Sequence, residues 1–340
     1  MATIREVAER AGVSPATAAR VLGAYGYSSE ESRKKVQAAA QELNYHPDQV
    51  ARSLATGRTS VIGLVVADIE NPFFAEIARG VADVAAAHGL TIILANTDED
   101  QAKQREAIKV LLGMRVVGLI IAPASSRYQP DLAGLHERGF PIVLVDRRVE
   151  GVQLDSVLAM NAEGAEEAVT YLLDLGHRGI GVVSDSPEIT TNAERLEGYR
   201  RAHGRAGLQV DEALVRVAQY TRAAAQREAR ALLESPNRPT ALFGTGNFMT
   251  IGCLLAARDL GLSIPRDVAL VGFDDMDWAT IIRPQLTTVA QPTRLMGRAG
   301  AEQLVARLGG DRSPAREIRL PVQFHVRESC APPAKADGQR

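Results

Sequence analysis

The chain has 340 residues, 46% of them hydrophobic and 24% charged, which indicates a globular protein of two or three domains. Its formal net charge of -2 gives no overall sign of a nucleic-acid or membrane partner. Only the first 60 residues lean positive, with eight Lys/Arg against six Asp/Glu. That excess is too small to indicate DNA binding by itself.

Cysteine usage and the N-terminus predict a cytoplasmic protein. Cys253 and Cys330 are too few for a disulfide framework and indicate a reducing compartment. The N-terminus, MATIREVAERAG, lacks the apolar run of a signal peptide. No stretch approaches the ~18–20 apolar residues of a membrane span, so we expect no membrane partner.

The first predicted element is a short helix that begins after Thr3. Thr3 and Glu6 have the spacing of a capping box, in which each side chain accepts a hydrogen bond from the other residue's backbone N–H. Gly12 would end this helix. Its apolar face would consist of Ile4, Val7, Ala8 and Ala11.

Two more short helices follow. Ser14 is a suitable N-cap for the second helix, with Pro15 at the first helical position, and Ser29 is a suitable N-cap for the third. Two short helices joined by a tight glycine-containing turn, with a third helix against them, form the helix-turn-helix arrangement. The pattern alone leaves open a three-helix bundle that binds nothing.

A helix-turn-helix would place the start of its second helix in the major groove of DNA. Arg20 could bond guanine or clamp a phosphate, and Ala16 suits a thymine methyl group. Ser14 and Thr17 suit phosphate oxygens. The DNA-contacting residues predicted in the three helices are Thr3, Ser14, Pro15, Ala16, Thr17, Arg20 and Ser29.

The stretch HPDQVARSLATG predicts a helix that cannot stand alone. Pro47 is well placed to open it, and Thr56 and Gly57 end it after about two turns. Isolated helices below ~12–15 residues are marginal in water, so this one needs a surface to fold against. Its apolar face would consist of Val50, Ala51, Leu54 and Ala55.

From Val61 onward, apolar runs of strand length alternate with helical stretches. The runs are VIGLVVA (61–67), LTIILAN (90–96), VVGLIIA (116–122), PIVLV (141–145), IGVVS (180–184), LVRVAQ (214–219), TALFG (240–244) and VALVGF (268–273). Near-continuous apolar strands are typical of parallel sheets covered on both faces. Two successive sets of about four units predict an α/β core of two similar lobes, with a ligand cleft at the carboxyl ends of the strands.

Polar and aromatic residues follow these strands. They include Asp68, Asn71, Phe73, Phe74, Asp146, Arg147, Arg148, Asp185, Thr191, Arg195, Tyr220, Asn247, Asp274 and Asp275. Hydrogen-bonding groups beside aromatic faces suit a polyhydroxylated or heterocyclic small molecule. For each residue taken alone, a structural role such as helix capping remains open.

The chain resembles the lactose/galactose-repressor family of bacterial transcription factors, from Thr3 to about Glu328. The head carries TIREVAERAGVSPATAARVL, followed by SSEESRKKV and YHPDQVARSLATGRTSVIGLV. The core carries DIENPFF, VDRR, LGHRGIG, RLEGYR, GFDDMDW and PQLTTVAQP. The resemblance implies a DNA-binding repressor with a core like the periplasmic sugar-binding proteins and an effector that tunes operator affinity.

The resemblance also implies a role for the short helix. In such proteins it is a hinge that folds when two subunits bind a pseudo-palindromic operator, so we expect a homodimer. The residue matching Leu54 would wedge between base pairs in the minor groove and kink the duplex. Val50 and Ala51 would form the contacts between the paired hinges and complete the predicted DNA-binding set. An ordinary linker with an exposed leucine is the alternative.

The effector contacts implied by the resemblance are Phe74, Arg195, Tyr220, Asn247 and Asp274, and Arg147 and Thr191, which follow strands, complete the predicted effector set. Arg195 and Asp274 would anchor polar groups, and Phe74 and Tyr220 would stack on a ring. A sugar or sugar derivative is the expected effector, and a purine-like corepressor is the alternative. Met160 and Phe248 stand where the family commonly has acidic residues, which makes the cleft less acidic. Ala19 and Gly23 replace the usual Ser and Asn of the head and remove two expected DNA hydrogen bonds.

These interpretations define the predicted domains. They are a DNA-binding domain at 1–46, a hinge at 47–57, a core at 58–330 and a disordered tail at 331–340. Within the core, one lobe would comprise about 61–160 with 291–319, and the other about 161–290 with 320–330.

Two other classes of protein fit the sequence less well. An NAD-type enzyme lacks its fingerprint, because GTGNFMTIG has no third glycine at the required spacing. His177 lies in a turn where a structural role is expected. A secreted solute-binding protein would need an export signal and no helix-turn-helix. We expect no enzyme activity, no cofactor and no metal site.

Overall fold

The structure, a computed structural model, describes residues 2–23, 27–45 and 59–334. The chain separates into two compact units: residues 1–60 with 115–117, and residues 61–114 with 118–340. The predicted hinge at 47–57, with its proposed contacts Val50, Ala51 and Leu54, lies outside the described residues. Within the described part, no helix has the length and apolar character needed to cross a membrane.

The first unit contains three helices that begin at the predicted caps. They are α1 (Ile4–Ala11), α2 (Pro15–Gly23) and α3 (Glu30–Glu42). The capping box is present: Thr3 Oγ1 accepts from Glu6 N at 3.3 Å, and Glu6 Oε2 accepts from Thr3 N at 2.7 Å. Gly12 ends α1 with φ of 66°, a conformation that glycine adopts without steric cost.

Small aliphatic side chains form the core of this unit. Val7, Ala18 and Val36 are fully buried, one from each helix. The predicted apolar face of α1 is therefore confirmed, with Ile4 partly buried at its edge. A core of alanines and valines lets the three helices approach closely, which fits a domain of this small size.

The second unit contains two six-stranded sheets. The first sheet has strand order β11-β5-β4-β3-β1-β2, and all of its pairs are parallel. Its strands are β1 (Val61–Val66), β2 (Thr91–Asn96), β3 (Leu119–Ile121), β4 (Ile142–Val145), β5 (Asp155–Ala159) and β11 (Glu317–Leu320). Its helices are α4 (Pro72–Ala87), α5 (Gln101–Gly113), α6 (Pro130–Glu137) and α12 (Thr293–Leu308). We call this half the N-lobe.

The second sheet, with its helices, forms the C-lobe. Its strand order is β12-β10-β9-β8-β6-β7, with β12 antiparallel to β10 and the other pairs parallel. Its strands are β6 (Ile180–Ser184), β7 (Val215–Val217), β8 (Ala241–Gly244), β9 (Ala269–Phe273), β10 (Thr287–Ala290) and β12 (Gln323–His325). Its helices are α7 (Asn161–Asp174), α8 (Thr190–Arg205), α9 (Arg222–Leu233), α10 (Asn247–Asp259) and α11 (Trp278–Ile281), with a 3-10 turn at Glu212–Leu214.

The expectation of about four units per lobe was wrong, because each sheet has six strands. The strands absent from the predicted set are β5, β10, β11 and β12, whose sequences mix polar and apolar residues. Asp155, at the start of β5, is buried because Arg307 contacts its two oxygens at 2.6 and 2.9 Å. A search for apolar runs cannot detect such a strand, because an ion pair makes it possible to bury a side chain that is not apolar.

The chain crosses between the lobes three times within 59–334. The crossings lie between β5 and α7, between β10 and α12, and between β11 and β12. In the N-lobe, α12 packs tightly on α4: a Cβ added at Gly297 would lie 2.1 Å from the Ile77 carbonyl oxygen. Residues at the carboxyl ends of parallel strands from both sheets line one cavity, so these ends border a cleft between the lobes.

Candidate DNA-binding helix and effector cleft

The exposed side of α2 carries the residues predicted to contact DNA. Ser14 Oγ accepts from Thr17 N at 3.1 Å and lies 2.9 Å from Thr17 Oγ1. Ala18, on the opposite side, is buried among the three helices. The residues left on the outside are Ser14, Pro15, Ala16 and Arg20, with Thr17 half-buried. The buried side of α2 thus fixes which side chains a partner could reach.

Thr3 and Ser29 are exposed and cap helices. Thr3 caps α1, and Ser29 Oγ accepts from Ser32 N at 3.3 Å at the start of α3. Their hydroxyl groups therefore already have a structural role, and their contacts with DNA stay a prediction.

All seven predicted effector residues line one cavity between the lobes. They are Phe74, Arg147, Thr191, Arg195, Tyr220, Asn247 and Asp274. The cavity volume is about 40 Å³. That is room for about three water molecules. The resemblance and the positions after strands therefore selected residues that the fold brings together, and the lobes are nearly closed on each other.

Two aspartates occupy corresponding positions in the two lobes. Asp146 follows β4 with φ of 68°, and Asp274 follows β9 with φ of 78°. Aspartate tolerates this left-handed backbone conformation better than most residues. Both carboxylates line the cavity and are buried. Burial raises the pKa of Asp146 to about 6, although neighbouring Arg147 opposes the shift.

Carboxylates hold Arg147, which is 5% exposed. Its Nη1 and Nη2 donate to Glu99 at 2.5 and 2.7 Å, its Nε donates to Asp146 at 3.1 Å, and its Nη1 also reaches the Pro123 carbonyl at 3.1 Å. Burial lowers the pKa of this guanidinium, but Glu99 and Asp146 together outweigh burial and hold the pKa above its ordinary value. The carboxylates of Glu99 and Asp146 therefore neutralise the charge of Arg147 within the N-lobe.

Neutral oxygens hold Arg195. Its Nε donates to Asn161 Oδ1 at 2.9 Å, and its Nη1 donates to the Thr245 carbonyl at 2.7 Å. Its guanidinium lies 3.9 Å from the centre of the Phe273 ring, a cation–π contact. Burial lowers the pKa of Arg195, while Asp274 and Asp146 oppose that shift without a direct hydrogen bond.

Aromatic rings form two faces of the cavity. Phe73 and Phe74 meet edge to face, with ring centres 5.0 Å apart. Tyr220 packs on Phe248 with ring centres 5.0 Å apart, and its hydroxyl accepts from Asn71 Nδ2 of the N-lobe at 2.9 Å. Burial raises the pKa of Tyr220, so its hydroxyl stays protonated.

Two buried amide oxygens in the cavity have no hydrogen-bond partner among the described residues. They are Asn247 Oδ1 and Gln291 Oε1. The amide nitrogens of the same side chains are engaged: Gln291 Nε2 donates to Asp274 at 2.6 Å, and Asn247 Nδ2 reaches Asn71 at 3.5 Å. A buried polar atom without a partner is costly, so these oxygens indicate a position for a hydrogen-bond donor from a ligand.

The structure adds cavity residues that the predicted effector set does not contain. They are Asn71, Phe73, Asp146, Asp185, Asn192, Phe248 and Gln291, together with the backbone around Thr245 and Gly246. Five of these were visible in the sequence as residues near strand ends or as a departure from the family pattern. Gln291 follows β10, a strand that the apolar pattern missed, so its position became apparent only with the complete sheet.

His177 has a structural role, as predicted. Its Nε2 donates to the Ala331 carbonyl at 3.0 Å, so Nδ1 accepts from Thr240 Oγ1 at 2.8 Å. Burial lowers the pKa of His177, which favours this neutral form. The contact reaches one residue into the predicted tail, of which residues 335–340 lie outside the described residues. Within the described ranges, no group of three or more His, Cys, Asp or Glu is placed to hold a metal ion.

A helix-turn-helix head and a two-lobed core with a nearly closed cleft, in one chain, define a ligand-responsive DNA-binding regulator. Residues 3–48 match the model for bacterial regulatory proteins of the lacI family, and residues 169–330 match a periplasmic binding protein-like domain. The chain belongs to the lacI family of bacterial transcriptional regulators. It is a regulator and not an enzyme.

Relatives across the whole chain agree with this assignment. The chain is 36% identical to the HTH-type transcriptional repressor PurR of Escherichia coli O139:H28, over 97% of each protein. It is 32% identical to the transcriptional regulator CelR in its cellobiose complex, with a TM-score of 0.74 over 97% of this chain and 100% of that one. It is 25% identical to the Lac repressor dimer bound to operator and the anti-inducer ONPF, with a TM-score of 0.85 over 97% and 99%.

Proposed function

We propose that this regulator is a repressor that binds a pseudo-palindromic operator as a homodimer, and that an uncharged sugar or sugar derivative in the cleft controls its operator affinity. The observation that carries the effector class is the pair of unpartnered acceptors, Asn247 Oδ1 and Gln291 Oε1, inside a cavity lined by carboxylates and aromatic rings. Sugar hydroxyls donate to such oxygens, and the C–H faces of a sugar ring pack on aromatic rings.

Charge in the cleft argues against an anionic effector. The carboxylates in or against the cavity are Asp146, Asp185, Asp274 and Glu99, and the guanidinium groups are Arg147 and Arg195. Carboxylates outnumber guanidinium groups, and Glu99 and Asp146 already neutralise Arg147. A sugar phosphate or sugar acid would therefore enter a site of net negative charge. Like charges at these distances disfavour binding.

The closed cleft explains how an effector would act on the rest of the protein. Asn71 and Ser126 of the N-lobe bond directly to Tyr220 and Thr190 of the C-lobe. A sugar is larger than the few waters that the cavity holds, so its entry and its departure require the lobes to separate. An effector that binds one separation of the lobes better than another shifts the protein toward that state.

Two open sheet edges support a homodimer. The strand β2 is one edge of the N-lobe sheet, and β7 is one edge of the C-lobe sheet. Neither strand has a fully buried residue, although parallel strands are usually covered on both faces. Leu94 and Val217 are 44% and 50% exposed on these edges. A second copy of the chain would cover them.

For DNA binding, the exposed set on α2 and the capping residues Thr3 and Ser29 are the contacts that we propose in the head. The hinge residues Val50, Ala51 and Leu54 remain part of the proposal on the strength of the sequence. The inferred domain limits, 1–46, 47–57 and 58–330, belong to the same proposal.

A thermal-shift screen of the full-length protein tests the effector class. The panel contains pentoses, hexoses, disaccharides, sugar phosphates, sugar acids and purines. A ligand at 100 times its Kd stabilises a protein by ~2.7 kcal/mol, so a neutral sugar should raise the melting temperature visibly. A hit only among sugar phosphates, sugar acids or purines would contradict the proposed effector. Repeating operator binding with the hit distinguishes an inducer from a corepressor.

A further inference from the structure

The cleft contains a second, larger cavity beside the first. This outer chamber has a volume of about 640 Å³, compared with about 40 Å³ for the inner cavity. It lies beyond the ends of β1, β2 and β7, between the same two lobes. The two spaces have only Tyr220 and Phe248 in common among the described residues that line them. These two rings are therefore the wall between them.

The wall is held in place from both lobes. The Tyr220 hydroxyl accepts from Asn71 Nδ2 at 2.9 Å, which ties the ring to the N-lobe across the cleft. Phe248 is 6% exposed and packs in the core of the C-lobe. The Arg222 guanidinium lies 4.8 Å from the centre of the Phe248 ring and lines the outer chamber. Neither ring can swing aside without breaking a contact.

The outer chamber has the chemistry of a sugar subsite. Its acceptors include the Asp68 and Asp98 carboxylates, and Arg222 is a donor. Ile69, which is 56% exposed, supplies an apolar surface opposite the aromatic wall. A ring placed there would meet hydrogen-bonding groups and an apolar face, the same combination that the inner cavity offers.

We propose that Phe248, packed against Tyr220, is a specificity-determining residue that limits the effector to a single sugar ring, and that the outer chamber is a latent subsite for a second ring. This inference rests on the proposed function, in which the inner cavity binds a sugar. Tyr220 and Phe248 both belong to the C-lobe, so their packing on each other persists when the lobes separate to admit a sugar. A sugar in the inner cavity therefore cannot continue toward β1 and β2 while the two rings stand between the chambers. A side chain without a ring at position 248 would join them.

The test compares single-ring and two-ring sugars on the full-length protein. Binding of ribose, arabinose, xylose, glucose and galactose is measured by titration calorimetry, together with xylobiose, cellobiose, maltose and lactose. The variants are Phe248→Ala and, because Phe248 is buried, the milder Phe248→Val. The control is Ile281→Ala, an exposed residue that lines neither cavity. Circular dichroism and thermal unfolding establish that each variant is folded.

We expect the wild-type protein and the control to prefer the best single-ring sugar over every two-ring sugar by about a hundredfold. In a folded Phe248 variant the ratio of the Kd for two-ring sugars to the Kd for the best single-ring sugar should fall by about tenfold or more. The fall should come chiefly from tighter binding of the two-ring sugar. A wild-type protein that binds a two-ring sugar as well as its components, or a ratio unchanged in both folded variants, overturns the inference. A wild-type protein that binds no sugar at all contradicts the proposed function instead, and the inference falls with it.

Discussion

The buried charged groups of the two lobes have different partners. Each lobe nevertheless contributes to the cavity one arginine and one aspartate with a left-handed backbone conformation. In the N-lobe, Glu99 and Asp146 engage Arg147, and these groups satisfy one another. In the C-lobe, Arg195 is held by neutral oxygens, and Asn247 leaves an acceptor free. The other free acceptor belongs to Gln291, the residue that follows the C-lobe strand β10.

This difference separates two roles within one cleft. Groups that saturate each other build a fixed surface, and removing one of them damages the protein before it affects a ligand. Groups with unused hydrogen-bonding capacity discriminate between ligands. We therefore expect substitutions in the N-lobe cluster to act mainly on stability, and substitutions at the free acceptors to act mainly on effector binding.

The largest expected effect is that of Arg147→Ala. It leaves Glu99 and Asp146 buried without their counter-charge, which should reduce the free energy of unfolding by about 3–5 kcal/mol. Urea unfolding followed by circular dichroism measures it. Arg147→Lys is the matched variant, since it keeps the charge but not the paired contacts with Glu99, and its loss should be smaller. An unchanged unfolding free energy in Arg147→Ala would refute the structural role of the N-lobe cluster.

A pH dependence of stability should come from Asp146. Burial raises its pKa from 3.8 to about 6, so the protonated form is favoured in the folded state. The contribution of protonated Asp146 to the free energy of unfolding is complete below the pKa of the unfolded chain. It is lost as the pH rises through about 6. From about pH 4 to about pH 7, the wild-type protein should lose on the order of 3 kcal/mol relative to Asp146→Asn.

Urea unfolding at several pH values measures this difference. Asparagine also tolerates the φ of 68° at this position, so the variant keeps the backbone. The exposed Asp131, substituted with Asn, is the control and should leave the pH dependence as it is. Equal pH dependence in the wild-type protein and Asp146→Asn would contradict the expectation.

Asn247→Ala should weaken effector binding and leave the free energy of unfolding nearly unchanged. Its free oxygen has no partner to lose, and its nitrogen makes only a long contact with Asn71. Loss of one buried ligand hydrogen bond costs about 1–3 kcal/mol, a tenfold to hundredfold rise in Kd. Titration calorimetry measures it. Asn237→Ala, at an exposed residue that lines neither cavity, is the control. A destabilised Asn247→Ala with normal affinity would reverse the comparison between the lobes.

The smallest expected effect is at the rim, where the lobes meet. Ser126 Oγ accepts from Thr190 N at 2.9 Å and donates to Thr190 Oγ1 at 3.3 Å, and Ser126→Ala removes both contacts. We expect effector affinity to change by about 1 kcal/mol, because the closed state loses one short and one long hydrogen bond. Ser125→Ala, on the neighbouring residue, is the control. No change in effector binding, with the closed form equally populated in small-angle scattering, would show that these contacts do not contribute to closure.

Much of the fold could be predicted from local patterns. Thr3 with Glu6, Ser14 with Pro15, and Ser29 determine where the first three helices begin, because capping is a short-range interaction. The buried strands β1, β4, β6 and β9 were recognisable because strands covered on both faces must be apolar. Strands that begin with Asp155 or contain charged residues, such as β11, were missed because distant partners make their burial possible.

The candidate site was predictable in part. The family resemblance pointed to Phe74, Arg195 and Asp274, and the fold places them around one cavity. Glu99 was absent from the predicted site, because nothing in its local sequence shows that it faces a guanidinium 48 positions away. The separation of the two chambers by Phe248 and Tyr220 was equally hidden.

The sequence by itself determined the helix-turn-helix head, the parallel two-lobed core and the family, since these depend on spacing and hydrophobic periodicity along the chain. Only the tertiary structure decided which arginine is neutralised, which amide oxygens are left without a partner, and where the cleft is divided. Those properties depend on distances between groups far apart in the chain, such as Asn71 and Asn247, which are 176 positions apart and meet only when the lobes close.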